Sequence, residues 1–88
     1  MQKSQENILK LFRLQTVLKE CGHDLNITVF AHTTNVDWTL YIGGYRKEDP
    51  EKLEGRFYYA GELASDEKMD EAITSLLDFV YDRNLLWS

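Results

Sequence analysis

Cysteine, proline and long apolar stretches are all scarce in this sequence. Cys21 is the only cysteine, so no internal disulfide can form and stability has to come from packing. No apolar stretch approaches the roughly 18 residues that cross a bilayer. Residues 1–6 also lack the apolar segment of a secretory leader. These absences predict a cytoplasmic protein that does not associate with membranes.

The sequence also lacks the residue patterns that usually mark a catalytic or cofactor site. It contains neither of the glycine-rich phosphate-binding patterns, G-x-x-x-x-G-K-[ST] and G-x-G-x-x-G. The best metal-binding or nucleophilic set is Cys21, His23, Asp24 and His32. Zinc sites usually take four ligands at recognisable paired spacings, and this set has one cysteine and irregular spacing. We therefore expect no catalytic residue, cofactor or metal, and an enzyme or metalloprotein is only a third hypothesis.

Length and composition are those of an ordinary globular protein. The chain has 88 residues, of which 43% are hydrophobic and 28% charged. A chain of this length can bury one modest core. We therefore expect residues 1–88 to form a single domain.

The net negative charge comes entirely from the second half of the chain. The formal net charge is -5, and acidic and basic residues cancel within residues 1–44. An acidic half disfavours phosphate backbones and anionic lipids as partners and favours a basic protein surface. The alternative is that the acidity only keeps a small protein soluble.

The clearest structural signal is the alternation of apolar and polar side chains in residues 36–42. Val36, Trp38, Leu40 and Ile42 occupy one set of alternate positions. A period of two predicts a strand with one buried face. We predict that this strand lies in the centre of the sheet.

Residues 25–32 predict the preceding strand, and residues 34–35 predict a two-residue hairpin loop between the two. A loop of this length keeps the apolar side chains of both strands on one face. The resulting cross-strand pairs include Thr33 with Val36, Phe30 with Thr39, and His32 with Asp37. The pairing of His32 with Asp37 would favour the charged imidazole.

The aromatic residues 56–60 predict a third strand. We expect Phe57 and Tyr59 to point towards the core. The charged residues 46–55 before this strand predict a long loop. Residues 50–53 of that loop have the composition of one helical turn.

Two segments show the 3.6-residue apolar period of helices. The first spans residues 4–21, with Ser4 as its N-cap and Gly22 as its C-cap glycine. The second follows the N-cap Ser65, and Asn84 ends it. The predicted buried stripe of the second helix is Met69, Ala72, Ile73, Leu76, Leu77 and Val80. That of the first helix is Ile8, Leu11, Phe12 and Leu18, widened by Leu9, Leu14 and Val17.

The last residues, 85–87, are Leu-Leu-Trp and too apolar for a free tail. We expect them to fold back onto the core. The alternative is that Trp87 anchors a partner.

These elements predict an α+β fold with the order α-β-β-β-α. The simplest arrangement is a three-stranded antiparallel meander with both helices packed on the face that carries Trp38. This order resembles that of double-stranded-RNA-binding domains. That family carries a lysine cluster at the start of its last helix, whereas residues 65–70 here read Ser-Asp-Glu-Lys-Met-Asp. The resemblance is one of topology, and the reversed charge argues against direct nucleic-acid binding.

The sheet face without helices is predicted to carry several aromatic side chains. The candidate residues on this face are Phe30, His32, Tyr41 and Tyr58. An exposed aromatic patch is typical of a binding or self-association surface. The alternative is that these rings serve cross-strand pairing alone.

Our first hypothesis is a small non-enzymatic binding or inhibitor protein that occupies a basic surface of a protein partner. Its acidic carriers would be Glu48, Asp49, Glu51, Glu54, Asp66, Glu67, Asp70, Glu71, Asp78 and Asp82. One version is a mimic of nucleic-acid charge of the kind carried by phages, which would act in the host cytoplasm. The second hypothesis is a homodimeric structural or accessory protein that associates through the aromatic sheet face or Trp87.

Overall fold

The computed structural model describes residues 3–87 and contains two helices and three strands. Helix α1 spans Lys3–Glu20 and helix α2 spans Asp66–Asp82. Strands β1, β2 and β3 span Asp24–Val29, Asn35–Tyr41 and Lys52–Tyr58. The predicted α+β class and the order α-β-β-β-α are confirmed. Of the six N-terminal residues considered for a leader, the first two lie outside the described residues.

The strands form an antiparallel meander in the order β1-β2-β3, as predicted. Helix α1 packs mainly on β1, and α2 packs on β3 and on α1. Both helices lie on the sheet face of Trp38, because their buried side chains share one core with it. The fully buried members of that core are Leu11, Leu18, Val36, Leu40, Leu76 and Val80.

The alternation along β2 is confirmed. Val36, Trp38 and Leu40 are buried, while the polar positions between them are only partly buried. Trp38 lies opposite Gly55 of β3, and its indole covers the space that a side chain would take there. A glycine opposite the tryptophan therefore allows the ring to lie flat against β3.

The predicted hairpin register is wrong by four positions. Val36 pairs with Val29, which leaves six residues between them, where the prediction paired it with Thr33. Residues 31–34 lie in a loop, and Thr34 bonds to the chain after β3. The Thr34 carbonyl accepts a hydrogen bond from the Tyr59 amide (2.9 Å), and the Thr34 hydroxyl donates one to the Ala60 carbonyl (2.9 Å). Since a shift of four positions is even, the apolar side chains still share one face.

This register separates His32 from Asp37, so that predicted pair is wrong. His32 lies exposed in the loop, and Asp37 lies between Thr28 and Arg56. The predicted pairing of Phe30 with Thr39 is wrong for the same reason, because Thr39 lies opposite Asn26 and Glu54.

The third strand begins four residues earlier than predicted. Residues 52–55 belong to β3, so the predicted helical turn at residues 50–53 is wrong and the loop before it is shorter. Leu53 and Phe57 of β3 point towards the core, and the charged residues between them point to the opposite face. Phe57 is buried as predicted, and Tyr59 packs against the core just beyond the strand.

Helix α1 buries only part of the predicted stripe, because Leu11, Leu14 and Leu18 are buried whereas Leu9, Phe12 and Val17 are exposed. Phe12 is 43% exposed, whereas Asn7 is fully buried and its amide donates to the Asp70 carboxylate (3.3 Å). Ser4 is not the N-cap, because the helix already includes Lys3. Gly22 follows the helix in the left-handed conformation, with φ of 88°, as predicted.

Helix α2 and the chain after it largely follow the prediction. Ser65 caps the helix by accepting a hydrogen bond from the Lys68 amide (3.1 Å). Asn84 takes a left-handed conformation just after the helix, with φ of 55°. Leu85 is buried and Leu86 packs on the core, whereas Trp87 is 77% exposed and does not fold back. The buried stripe of α2 consists of Met69, Ile73, Leu76 and Val80, with Ala72 and Leu77 partly buried beside it.

Candidate partner-binding surface

Four carboxylates form a line along the outer side of α2, which we call the acidic stripe. It consists of Glu67, Glu71, Asp78 and Asp82, all of them exposed. At 100° per residue these positions lie opposite the buried stripe of the same helix. The rise of a helix gives the stripe a length of roughly 22 Å. The apolar and acidic side chains of this helix therefore lie on opposite faces.

The acidic stripe has no basic partner within the protein. Among residues 3–87, none of its four carboxylates forms an ion pair. The last turn of α2 contains no basic residue. Arg83, which caps the helix, instead pairs with Glu51 at 2.6 Å and stacks on Phe79. The stripe therefore presents negative charge to whatever approaches it.

The position of this charge is unfavourable for the helix itself. Asp78 and Asp82 lie near the C-terminus of α2, where the helix dipole disfavours negative charge. They are also spaced i, i+4, as are Glu67 and Glu71, and like charges at this spacing repel. Charges that weaken a local element without a compensating contact are typical of functional positions.

The structure gives the other predicted acidic residues different surroundings. Glu51 pairs with Arg83, and Glu54 lies 3.7 Å from Lys52 on the open sheet face. Asp70 is partly buried between α1 and α2 and contacts Lys3 (3.8 Å). The exposed remainder consists of Glu48 and Asp49 in the loop before β3 and Asp66 in the first turn of α2.

The register separates Tyr41 from the rest of the predicted aromatic patch on the open sheet face. Tyr58 lies opposite Asn35, whereas Tyr41 is at the other end of β2, about 20 Å along the strand. The backbone amide of Phe30 donates a hydrogen bond to the Asn35 carbonyl, and His32 lies in the loop that follows. Tyr41 therefore lies apart from the others, while Phe30 and Tyr58 flank Asn35 on its two sides.

A bidentate ion pair occupies the centre of the open face instead. Arg56 donates to both carboxylate oxygens of Asp37, at 2.7 and 2.8 Å. The hydrogen bonds from Arg56 lower the pKa of Asp37 below its ordinary value of 3.8, with a smaller contribution from Asn35. The same pairing raises the pKa of Arg56, so both groups stay charged at neutral pH.

The candidate metal-binding residues are not brought together. Asp24 accepts hydrogen bonds from the Tyr45 amide and from Lys19, which lower its pKa. His23 accepts a hydrogen bond from the Gly43 amide through Nδ1 (2.9 Å). His32 lies beyond the opposite end of β1. Within residues 3–87, no three histidine, cysteine or acidic side chains are grouped as metal ligands would be.

Two basic residues that the sequence analysis did not single out lie at the junction of the two helices. Lys10 and Arg13 line a groove between α1 and α2 whose other walls include Val17, Leu77 and Tyr81. The signal in the sequence was their spacing, because residues 10, 13 and 17 share one flank of a helix. Lys10 and Arg13 were not singled out because the groove exists only once the second helix is in place.

Comparison with known proteins gives no family for this chain. No protein-family model matches it. Neither the curated proteins nor the solved structures contain a significant match. In the part of the chain that the structure describes, neither helix is long and apolar enough to cross a membrane.

Proposed function

We propose that this protein is a small acidic binding protein whose acidic stripe occupies a basic surface of a protein partner. The observation that carries the proposal is the placement of the stripe. Its four carboxylates face away from the core, lack basic partners within residues 3–87 and, near the end of α2, oppose the helix dipole. A cationic partner surface would relieve the repulsion between the carboxylates of the stripe. The free energy that this repulsion costs the free helix would therefore favour binding.

One version of this function is an inhibitor that imitates nucleic-acid charge. The stripe shares two properties with a phosphate strand, namely its sign and its linear arrangement over roughly 22 Å. Its charge density is lower, because a DNA strand carries one phosphate per about 3.4 Å. The partner would then be a nucleic-acid-binding protein, met in the cytoplasm of a host cell if the protein is phage-borne.

The test is affinity capture with paired charge variants. The immobilised protein is incubated with lysate, and bound proteins are eluted by salt or by added DNA. The double variant Glu71→Gln/Asp78→Asn should lose the captured partner at lower salt. The control Glu20→Gln/Glu62→Gln removes the same charge from exposed positions away from the stripe and should retain it. Equal retention by both variants would refute the proposal, and failure of DNA to compete would refute the nucleic-acid version alone.

A second candidate function is a homodimeric accessory protein. The observation that favours it is the exposure of Trp87, since an indole that is 77% exposed at the end of the chain is a typical contact residue. The acidity would then serve solubility. Sedimentation at two concentrations separates the candidates, because a monomer at both concentrations contradicts the dimer. If a dimer forms, Trp87→Ala should dissociate it.

A further inference from the structure

The two edges of the sheet differ in how they are protected against pairing with another strand. At the β3 edge the Tyr59 amide donates to the Thr34 carbonyl, so the odd residues of β3 bond to β2 and the even residues face outward. Three of these even residues are charged, namely Lys52, Glu54 and Arg56. Charged side chains along an edge strand hinder the addition of a further strand.

The β1 edge lacks such charges, because residues 26–31 contain no charged side chain. The Phe30 amide donates to the Asn35 carbonyl, so the even residues of β1 share their backbone hydrogen bonds with β2. The odd residues, among them Ile27 and Val29, therefore direct their amides and carbonyls away from the sheet. An uncharged edge with outward backbone groups is a template for another strand.

The backbone groups available on the β1 edge belong mainly to two residues. Gln15 of α1 donates to the outward carbonyl of Leu25 (2.7 Å) and so occupies the start of the edge. Within residues 3–87, the outward amides and carbonyls of Ile27 and Val29 have no hydrogen-bond partner. Val29 is 47% exposed, and Phe12, one turn before Gln15 on the same flank of α1, is 43% exposed. Apolar side chains therefore accompany the open part of the edge.

We propose that two copies of this chain pair through their β1 edges and form a continuous six-stranded antiparallel sheet. The two-fold axis passes between the two Thr28 residues, so Ile27 of each copy lies opposite Val29 of the other. Each of these two pairs exchanges two backbone hydrogen bonds, which gives four in all. The Leu25 carbonyl keeps its bond to Gln15. The interface is isologous, because both copies contribute the same surface.

The side chains in this register suit a second copy of the chain. On the face that carries the helices, Ile27 of one copy meets Val29 of the other, and apolar cross-strand pairs stabilise a sheet. On the open face the two Thr28 side chains lie opposite each other, and Asn26 lies opposite Phe30. No like charges meet within residues 26–31. The available backbone groups are their own complement under the two-fold axis, so a second copy satisfies all of them.

The dimer leaves the acidic stripe accessible. Because β1 lies at the seam, β3 and the helix α2 that packs on it lie at the outer ends of the six-stranded sheet. The inference therefore goes beyond the proposed function and does not depend on it. The seam is also a different surface from the exposed Trp87 at the end of the chain.

The first test is disulfide cross-linking in a Cys21→Ser background, which removes the only native thiol. Across the two-fold axis the Cα atoms of Thr28 should lie about 4.5 Å apart, and a disulfide joins Cα atoms about 4.4–6.8 Å apart. Thr28→Cys should therefore form a disulfide-linked dimer in a glutathione redox buffer. The matched control Asn26→Cys is exposed on the same face of the same strand. It should not cross-link, because its two copies would be displaced by about 13 Å along the strands.

The second test is sedimentation equilibrium of the full chain over a range of concentrations. The average mass should rise with concentration from 10.3 kDa towards twice that value. Val29→Lys should raise the dissociation constant of the dimer about tenfold or more, because a lysine on an edge strand blocks pairing. The matched control Leu63→Lys adds the same charge at an exposed leucine outside the strands and should dimerise normally.

Three results would overturn the inference. They are a monomer at every concentration, equal cross-linking of Thr28→Cys and Asn26→Cys, and a dimer that Trp87→Ala dissociates but Val29→Lys leaves intact. The last result would assign the seam to the end of the chain. Glu71→Gln/Asp78→Asn should dimerise like the original protein, so its effect on partner capture tests the proposed function separately.

Discussion

Neutralising the two carboxylates at the C-terminal end of the acidic stripe should stabilise the protein. In Asp78→Asn/Asp82→Asn, two negative charges leave the last two turns of α2, which ends at Asp82 and has no basic residue in its last turn. Each exposed charge opposed to the helix dipole costs about 0.3–1 kcal/mol. Their mutual repulsion at i, i+4 adds about 0.2–0.5 kcal/mol. Asparagine and aspartate have similar helix propensity, so the exchange adds little else.

The expected gain in the free energy of unfolding is about 1 kcal/mol, which for a domain of this size corresponds to about 4–8 °C in melting temperature. The assay is urea and thermal unfolding followed by circular dichroism at low salt. The gain should shrink as salt is added, because screening weakens both electrostatic terms. Partner binding should fall in the same variant, so stability and binding are expected to change in opposite directions.

Glu67→Gln is the matched control, because Glu67 lies in the first turn of α2, where the dipole favours negative charge. Neutralising Glu67 removes its repulsion with Glu71 but also removes its favourable interaction with the helix dipole. The free energy of unfolding should therefore stay unchanged or fall. If Asp78→Asn/Asp82→Asn is less stable than the original protein, the two carboxylates serve the fold. The argument that they are placed for a partner would then be refuted.

Three further changes test the fold that positions the stripe. Gly55→Ala should cost about 1–3 kcal/mol, although alanine usually stabilises a strand, because the new Cβ would clash with Trp38 Cζ2. The pKa of Asp37 is lowered in the folded state. The stability that its carboxylate contributes to the fold is therefore present above pH 3.8 and is lost as the pH falls through the lowered pKa. Arg56→Gln should therefore move the Asp37 pKa upward, measured by carboxyl NMR, and flatten the acid loss of stability. Ser65→Ala should cost about 1 kcal/mol through the lost N-cap.

Each change has an outcome that would contradict the structure. A Gly55→Ala protein as stable as the original would mean that the indole does not lie over β3. An unchanged Asp37 titration in Arg56→Gln would mean that the bidentate pair does not form in solution. No loss of stability in Ser65→Ala would place the start of α2 elsewhere. Urea unfolding measures the first and third of these, with Thr74→Ser on the exposed side of α2 as a neutral reference, because serine and threonine have similar helix propensity.

The sequence was sufficient for the faces of the sheet but not for its register. The alternation in β2 requires Val36, Trp38 and Leu40 to share the buried face, and any even shift of the neighbouring strand preserves that condition. The predicted two-residue loop was therefore as compatible with the pattern as the real connection. The real register depends on Thr34, whose bonds to the chain after β3 join residues far apart in sequence.

Gly55 explains why the start of β3 was missed. Glycine weakens strand propensity, so residues 52–55 resembled a loop. The structure needs glycine there because Trp38 fills the space opposite, a relationship visible only once the two strands are paired. The burial of Asn7 was missed for a similar reason, since its partner Asp70 is on the other helix.

The acidic face of α2 was predictable because carboxylates at helical spacing opposite an apolar stripe need no tertiary information. The aromatic sheet face depended on the register, and the wrong register placed Tyr41 closer to Phe30 than it is, because Phe30 lies beside Asn35 at the other end of β2. The groove cations Lys10 and Arg13 required the relative position of two helices, which local periodicity does not contain.

The most direct test of the acidic stripe is the salt dependence of the dissociation constant for the captured partner. The constant is measured at several salt concentrations for the original protein, for Glu71→Gln/Asp78→Asn and for the control Glu20→Gln/Glu62→Gln. If the stripe makes the contact, affinity falls as salt rises, and the stripe variant shows weaker binding with a shallower salt slope while the control matches the original. Identical slopes for all three proteins would contradict the account.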